Sequence, residues 1–284
     1  MGSIGIVTDS TSDLSAEELV RLDVTMVPLK VLFGDRTYLD WVELPPAEFY
    51  PMLANAEILP KTSQPSPAEF LATYRELAER GCTEIVSVHL TSALSGTVAS
   101  ALMAAEESPI PVHVVDTKKV SHSLSLVVRA AVEARDSGAD AEGIVARAQS
   151  VSQEMRFLFV LETLEYLVKG GRAGKAQGLA ASLLGIKPIL TVNADGIVEP
   201  YKKVKGRKRA LQLIAAEVAR DAAANGRMRL TVLHACLDDE GAELLREIEA
   251  TGADIELMPN GLIGAVIGTY VGQGAIGCAY YPVE

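Results

Sequence analysis

Cysteine is scarce: the 284-residue chain has three, Cys82, Cys236 and Cys278. An odd, widely spaced set excludes a disulfide framework and a paired Cys-x2-Cys metal site, and each thiol lies in or beside an apolar run, which predicts buried, reduced side chains. Long apolar stretches are missing as well. No run of about 18 such residues occurs, so no helical membrane span is expected. The opening MGSIGIVTDS lacks the basic and apolar regions of a secretory leader, and the expectation is a cytoplasmic protein. Positive charge is in short supply: 26 Lys and Arg stand against 37 Asp and Glu, a net charge of −11. That balance argues against nucleic acid or an anionic membrane as the principal partner.

The common catalytic signatures are absent too. A Walker loop requires Gly-x4-Gly-Lys-[Ser/Thr], and Gly170-Gly171-Arg172-Ala173-Gly174-Lys175-Ala176 has neither the spacing nor the hydroxyl. There is no Gly-x-Ser-x-Gly elbow and no HExxH, and His89, His113, His122 and His234 lack metal-ligand spacing. No catalytic residue, metal or cofactor is therefore assigned. His89, His113 and His234 lie in or next to strand-like runs, which points to core or interface roles. Gly272–Gly277 matches G-x-G-x-x-G, but only seven residues follow it, too few for the helix and strand of a dinucleotide fold. Those glycines are read as places where the backbone approaches another group closely.

What remains is an ordinary globular composition, 49% hydrophobic and 22% charged, with length for two domains at about 150 residues each. Apolar runs at Ile4–Val7, Ile85–Leu90 and Val112–Val115 each lead into a polar loop and then a helical pattern. Capping boxes at Ser15–Glu18 and Ser66–Glu69 start two of the helices. The rhythm predicts an α/β fold whose N-terminal domain, residues 1–155, is a doubly wound, mostly parallel sheet. A hairpin excursion is expected within it, Val24–Phe33 and Thr37–Leu44 flanking Gly34-Asp35. The pattern then shifts to a mixed α+β domain over 156–284, with a helix over Ala176–Leu184 and a hairpin turning at Ala194-Asp195-Gly196.

Three loops after strands are rich in hydroxyls: Thr8–Ser12, Thr91–Thr97 and Asp116–Ser121. In a doubly wound sheet these gather at one edge, where ligands bind. Ser95-Gly96-Thr97 at a helix N-terminus offers backbone N–H groups, hydroxyls and the positive dipole end to an anionic oxygen. The alternative is that Ser92, Ser95 or Thr97 caps its own helix. Thr62 and Ser63 precede the Ser66 cap and are free to point elsewhere, or they belong to a rigid surface loop. Lys202, Lys203, Lys205, Arg207, Lys208 and Arg209 put six cations in eight residues at a helix start, where positive charge opposes the dipole. They form either a solvated turn or a contact for an anionic partner.

These pieces in this order resemble the DegV family of bacterial lipid-binding proteins, over nearly the whole chain. The matching stretches are IGIVTDSTSDLS (Ile4–Ser15), VPLKVLFGDRTYLD (Val27–Asp40), KTSQPSPAEF (Lys61–Phe70) and TSALSGT (Thr91–Thr97). Two more are LETLEYLVKGGRAGKAQGLAASLLGIKPIL (Leu161–Leu190) and GTYVGQGAIG (Gly268–Gly277). The resemblance implies two α/β domains with one long-chain fatty acid buried between them. It also implies, for some members, presentation of that acid to a separate ATP-dependent kinase subunit. By motif, Thr62 and Ser95 would hold the carboxylate, with Ser63 and Gly96 close by and Arg172 shaping or charging the site. The basic run would fall on a contact surface for the kinase or, transiently, a membrane. This chain departs from the family pattern in carrying Tyr270 where histidine is common, Gln273 where proline is usual, and no glycines in the Asp116 loop. Tyrosine can donate to a carboxylate but accepts protons poorly, so the first change bears on phosphorylation more than on binding.

Hydroxyls and helix N–H groups suit a buried carboxylate, which is strongly disfavoured without donors. About a dozen methylenes at ~0.8 kcal/mol each supply roughly 10 kcal/mol gross, reduced by association costs. Candidate tail contacts are Leu183, Leu184, Ile186, Ile189 and Ile263, for each of which plain core is the alternative. Two other functions stay open: an enzyme or phosphotransfer component using the hydroxyl-rich loops, and a nucleic-acid-binding regulator working through Lys202–Arg209.

Overall fold

The computed structural model describes residues 3–179 and 186–283. Strand β1 (Ser3–Asp9) carries the first apolar run and leads to helix α1 (Ala16–Leu22). The capping box is present: Ser15 Oγ accepts from the Glu18 N–H and the Glu18 carboxylate from the Ser15 N–H. β2 (Val24–Val27) lies parallel to β1. The chain then leaves this sheet for an antiparallel pair, β3 (Lys30–Phe33) and β4 (Arg36–Leu39), turning at Gly34 with φ +57°. After α2 (Pro46–Ala54), β5 (Lys61–Ser63) joins the other edge of β3. The single arm expected over Val24–Phe33 is thus two strands in two sheets, separated at Pro28, which has no N–H to continue a ladder.

Helix α3 (Pro67–Glu79) starts at the Ser66 capping box and returns the chain to β6 (Cys82–His89), on the opposite side of β1 from β2. Next come α4 (Thr97–Glu106) and β7 (Val112–Asp116). The sheet order β2–β1–β6–β7, parallel throughout, puts the reversal of winding between β1 and β6. Loops at the carboxyl ends of those two strands therefore frame a crevice.

Helices α5 (His122–Asp136) and α6 (Ala141–Glu154) pack on this sheet with one face and on a second sheet with the other. Residues 122–132 of α5 are accordingly buried all round. The second sheet is built from β8 (Arg156–Val160), β9 (Ile186–Val192), β10 (Val198–Lys205), β11 (Met228–His234), β12 (Ile255–Leu257), β13 (Gly261–Leu262) and β14 (Ile276–Pro282). Its order is β10–β9–β8–β14–β11–β12, with β13 also on β11. Only β12 and β13 run parallel to their neighbour. Helices α7 (Glu165–Lys169), α8 (Arg207–Asn225), α9 (Asp238–Glu249) and α10 (Ala265–Val271) complete the described elements, α8 and α9 covering the outer face of this sheet. The layers are α3/α4, parallel sheet, α5/α6, mixed sheet, α8/α9, the α/β architecture read from the sequence.

Of the helix expected over 176–184, Gly174–Leu179 forms a 3-10 turn, and the remainder lies outside the described residues. All three cysteines are free thiols, but Cys236 is exposed in a loop at φ +56°, against the expectation of burial. Cys278 is buried and Cys82 half-buried.

The close-approach reading of the last glycine run is met in β14. A Cβ on Gly277 would lie 2.3 Å from the Leu158 carbonyl oxygen and 2.6 Å from Phe159 Cβ on β8. Because backbone atoms cannot swing aside, Gly277→Ala is expected to destabilise the fold by about 1–3 kcal/mol, read as a lower midpoint in urea denaturation.

A cavity between the two sheets as the candidate functional site

The crevice at the β1/β6 switch point continues into a cavity of about 210 Å³. Its apolar wall draws on both sheets: Leu90 and Val120 follow β6 and β7, Phe157 and Phe159 project from β8, and Val192 and Val198 come from the β9–β10 hairpin. The two phenyl rings stack with centroids 4.9 Å apart. Of the tail contacts foreseen, Ile263 lines the cavity, whereas Ile189 is packed in a separate core under α8. Leu183, Leu184 and the Ile186 side chain lie outside the described residues.

The polar lining is gathered from distant parts of the chain. Thr62 and Ser63 of β5, Gln64 after it, Ser95 before α4, Arg172 after α7 and Tyr270 of α10 all border the cavity. Thr62 Oγ1 and Tyr270 Oη are hydrogen-bonded at 2.6 Å. The Arg172 guanidinium lies 4.9 Å from the Tyr270 ring centroid and donates to Leu94 O at 3.3 Å and Gly170 O at 2.7 Å. Ser95 Oγ sits 2.9 Å from Thr97 Oγ1 and accepts from the Thr97 N–H at 3.3 Å.

The N-cap of α4 is Gly96, with no side-chain cap, so the cap reading of this loop is confined to that one contact with Thr97. Gly96 is not part of the lining but stands beside it: a Cβ there would come within 2.4 Å of the Gln64 amide, which would have to move aside. Gln64, which the sequence analysis did not single out, also donates to Ser100 Oγ at 3.4 Å. Its place in the Thr-Ser-Gln-Pro run was the available signal. Thr62, Arg172 and Tyr270 also border a second hollow, of about 510 Å³, whose wall includes Lys61 and Lys169. The Thr62–Tyr270 pair and Arg172 are thus shared by the two hollows.

Behind α10 lies a buried carboxylate pair that the sequence analysis missed. Asp13 Oδ1 accepts from the Gly264 N–H at 2.9 Å and Trp41 Nε1 at 3.2 Å, and Asp13 Oδ2 from Ser121 Oγ at 2.5 Å. Asp40 Oδ1 accepts from the N–H groups of Ala265 at 3.1 Å and Val266 at 3.4 Å, and Asp40 Oδ2 from Ser10 Oγ at 2.7 Å. Burial pushes the Asp13 carboxyl up to about 8, with the Asp40 charge adding to it against the pull of its donors. Burial likewise raises Asp40 to about 7.

A second buried chain has triad spacing. His89 Nδ1 is 2.9 Å from Asp9 Oδ2, and His89 Nε2 is 2.7 Å from Ser87 Oγ. All three residues are fully buried, none borders the cavity, and Ser87 Oγ is also bonded to Tyr74 Oη at 2.9 Å. His89 therefore serves the core, as its place in a strand suggested. In the basic run, Lys202 pairs with Glu217 and Arg207 with Glu240, each at 2.5 Å, while Lys203, Lys205, Lys208 and Arg209 are exposed where β10 meets α8. Among the described residues no cluster of three or more His, Cys, Asp or Glu could hold a metal, and no helix is long and apolar enough to cross a membrane.

This arrangement, a two-sheet α/β chain around an apolar cavity with a hydroxyl-rich end, has known counterparts. A family model described as "Uncharacterised protein, DegV family" matches residues 3–283. A DegV domain-containing protein of Deinococcus radiodurans is 38% identical over 282 residues, 99% of each chain. Two solved structures align over the full length of both chains. One, titled as the fatty acid binding of a DegV family protein from Thermus thermophilus, is 36% identical with a TM-score of 0.94. The other is described as DegV, a fatty acid binding protein from Bacillus subtilis, 32% identical with a TM-score of 0.91. The chain belongs to the DegV family.

The raised carboxyls give the stability a defined pH dependence. Near neutrality the unfolded chain has ionised both aspartates, while the folded chain retains protons on them, so stability falls as pH rises through about 7 and about 8. His122, held down to about 4 by burial, and His234, also lowered, act in the opposite sense, as does Lys119 at about 8. Between pH 6.5 and 7.5 the two carboxyls outweigh them, and unfolding free energy is expected to drop by about 1 kcal/mol. Urea titrations at the two pH values read this directly. In a chain carrying Asp13→Asn and Asp40→Asn the drop should vanish or reverse.

Proposed function

We propose that this chain is a cytoplasmic carrier for one long-chain fatty acid. Its carboxylate is held by Thr62 and Ser95, with Tyr270 and Arg172 beside them, and its tail lies in the cavity. The observation that carries this reading is the cavity itself: phenyl and aliphatic walls from both sheets, with hydroxyls, an amide and one guanidinium gathered together. The fatty acids named for the Thermus and Bacillus relatives support the ligand class. In this proposal residues 1–155 and 156–284 are the two domains that enclose the acid. The chain makes no bond itself and presents its ligand to a separate kinase subunit, with Lys203, Lys205, Lys208 and Arg209 facing that partner or a membrane.

The hydroxyl chain has one polarity when a carboxylate is bound. A carboxylate only accepts, so Thr62 must donate to it, and Tyr270 must then donate into Thr62. A phenol can fill that donor role, without the charge assistance that a protonated imidazole ring brings. It offers no comparable base, so a proton released at the headgroup would leave by another route.

Protein purified without added lipid, denatured and extracted, should yield about one long-chain fatty acid per chain by mass spectrometry. If no fatty acid is recovered and none is taken up on titration, the proposal is defeated. Replacing both Thr62 and Ser95 by alanine should weaken binding by at least about a hundredfold, as expected for two hydrogen bonds to a charged group. Unchanged affinity would remove them from the site. Across saturated acids, each two-carbon shortening should weaken binding by about tenfold once the tail no longer fills the cavity. Turnover of ATP and fatty acid by this chain alone would favour an enzyme instead.

A further inference from the structure

Helix α10 has an unusual start and a consequential end. Its N-cap, Gly264, has no side chain to offer, and the N–H groups of Gly264, Ala265 and Val266 are taken by Asp13 and Asp40. These carboxylates arrive from the loop after β1 and the end of β4, more than 220 residues away in sequence. They are themselves held: Asp13 by Ser121 and Trp41, Asp40 by Ser10. The approach is too close for any side chain at position 264, where a Cβ would lie 2.5 Å from Asp13 Oδ1 and 2.2 Å from Trp41 Nε1. At the other end of the same helix, Tyr270 meets Thr62. Between the two ends, Val266 and Ile267 form cavity wall.

We infer that Asp13 and Asp40 are positioning residues for the headgroup site: by mooring the first turn of α10 to the parallel-sheet loops they fix where the Tyr270 hydroxyl stands against Thr62. This rests on the fatty-acid reading proposed above. Neither aspartate lines the cavity. A seven-residue helix rotates or slides as one body, so a shift at its first turn is delivered almost undiminished to its sixth residue. A displacement of about 1 Å is enough to spoil a 2.6 Å hydrogen bond.

The test is a double-mutant cycle on the delipidated full chain, with oleate as the probe. Asp40→Ala should weaken oleate binding about tenfold in the wild-type background and change it by less than about twofold in Tyr270→Phe, because the residue acts through that hydroxyl. Asp40→Asn keeps an acceptor for the Ala265 and Val266 N–H groups and should restore most of the affinity. Trp41 is the only tryptophan, so its emission reports whether the Asp13 contact persists in each variant. If the alanine variant does not fold, Asp40→Ser, which shortens the acceptor while leaving it polar, takes its place with the same expectation.

Wild-type affinity in Asp40→Ala, or an equal loss in both backgrounds, would overturn the inference while leaving the carrier proposal standing. A wild-type chain that takes up no oleate would overturn both.

Discussion

A carboxylate withdrawn from water demands several donors at one place, and few arrangements of a folded chain can supply them. Asp13 and Asp40, 2% and 0% exposed, sit where three backbone N–H groups, two serine hydroxyls and one indole N–H converge. The donors come from both halves of the chain, so this permanent pair of buried acids cannot be satisfied until the halves are docked. The same chemistry recurs at the far end of α10, where hydroxyls and a guanidinium line the cavity. One buried set of acceptors belongs to the protein, and the other, in the proposed function, arrives with the ligand.

The division of labour between the sheets follows from their topologies. A parallel sheet aims the amide ends of its following loops toward one edge, and at the β1/β6 switch point these loops diverge to leave room. That edge is rich in donors and adds Leu90 and Val120 to the apolar wall. The mixed sheet has no such edge, but it presents Phe157 and Phe159 on β8 and the Val192 and Val198 side chains toward the other half. Both halves supply apolar wall and both supply polar groups, Arg172 and Tyr270 from the second meeting Thr62 and Ser95 from the first, so the cavity lies at the seam. Thr62 reaches that seam only because β3 and β5 leave the parallel sheet to form a small one of their own.

Much of this was legible in residue order. The strand–loop–helix rhythm gave the winding, and the hydroxyl clusters at Thr8–Ser12 and Thr91–Thr97 marked the edge that the topology makes into a crevice. The capping boxes at Ser15 and Ser66 were local chemistry, readable within four residues. The Asp13–Gly264 and Asp40–Ala265 contacts could not be read this way, because nothing within either segment specifies a partner more than 220 residues distant. Helix α9 was readable and passed over: Asp238, Asp239 and Glu240 in its first turn and Arg246 in its last are the charge pattern that a helix dipole favours. Cys236 misled because it stands beside the apolar run of β11, whereas the backbone turns there at positive φ and leaves the thiol exposed.

Helix α10 shows most plainly why local reading fails at this site. AVIGTYV is a poor helical sequence, with a glycine and four β-branched residues beyond its first position in only seven, too short to persist alone in water. Gly268 is nonetheless required, since a Cβ there would come 2.5 Å from the Phe49 ring and 3.0 Å from Tyr50 Oη. The helical state is therefore imposed by neighbours: aspartates at its start, aromatic rings against its middle, and Thr62 near its end. A segment whose conformation depends on contacts rather than propensity is well placed to transmit a change at one end to the other. A self-sufficient helix in the same position would hold Tyr270 regardless of Asp13 and Asp40, and the buried pair would then have no consequence for the cavity.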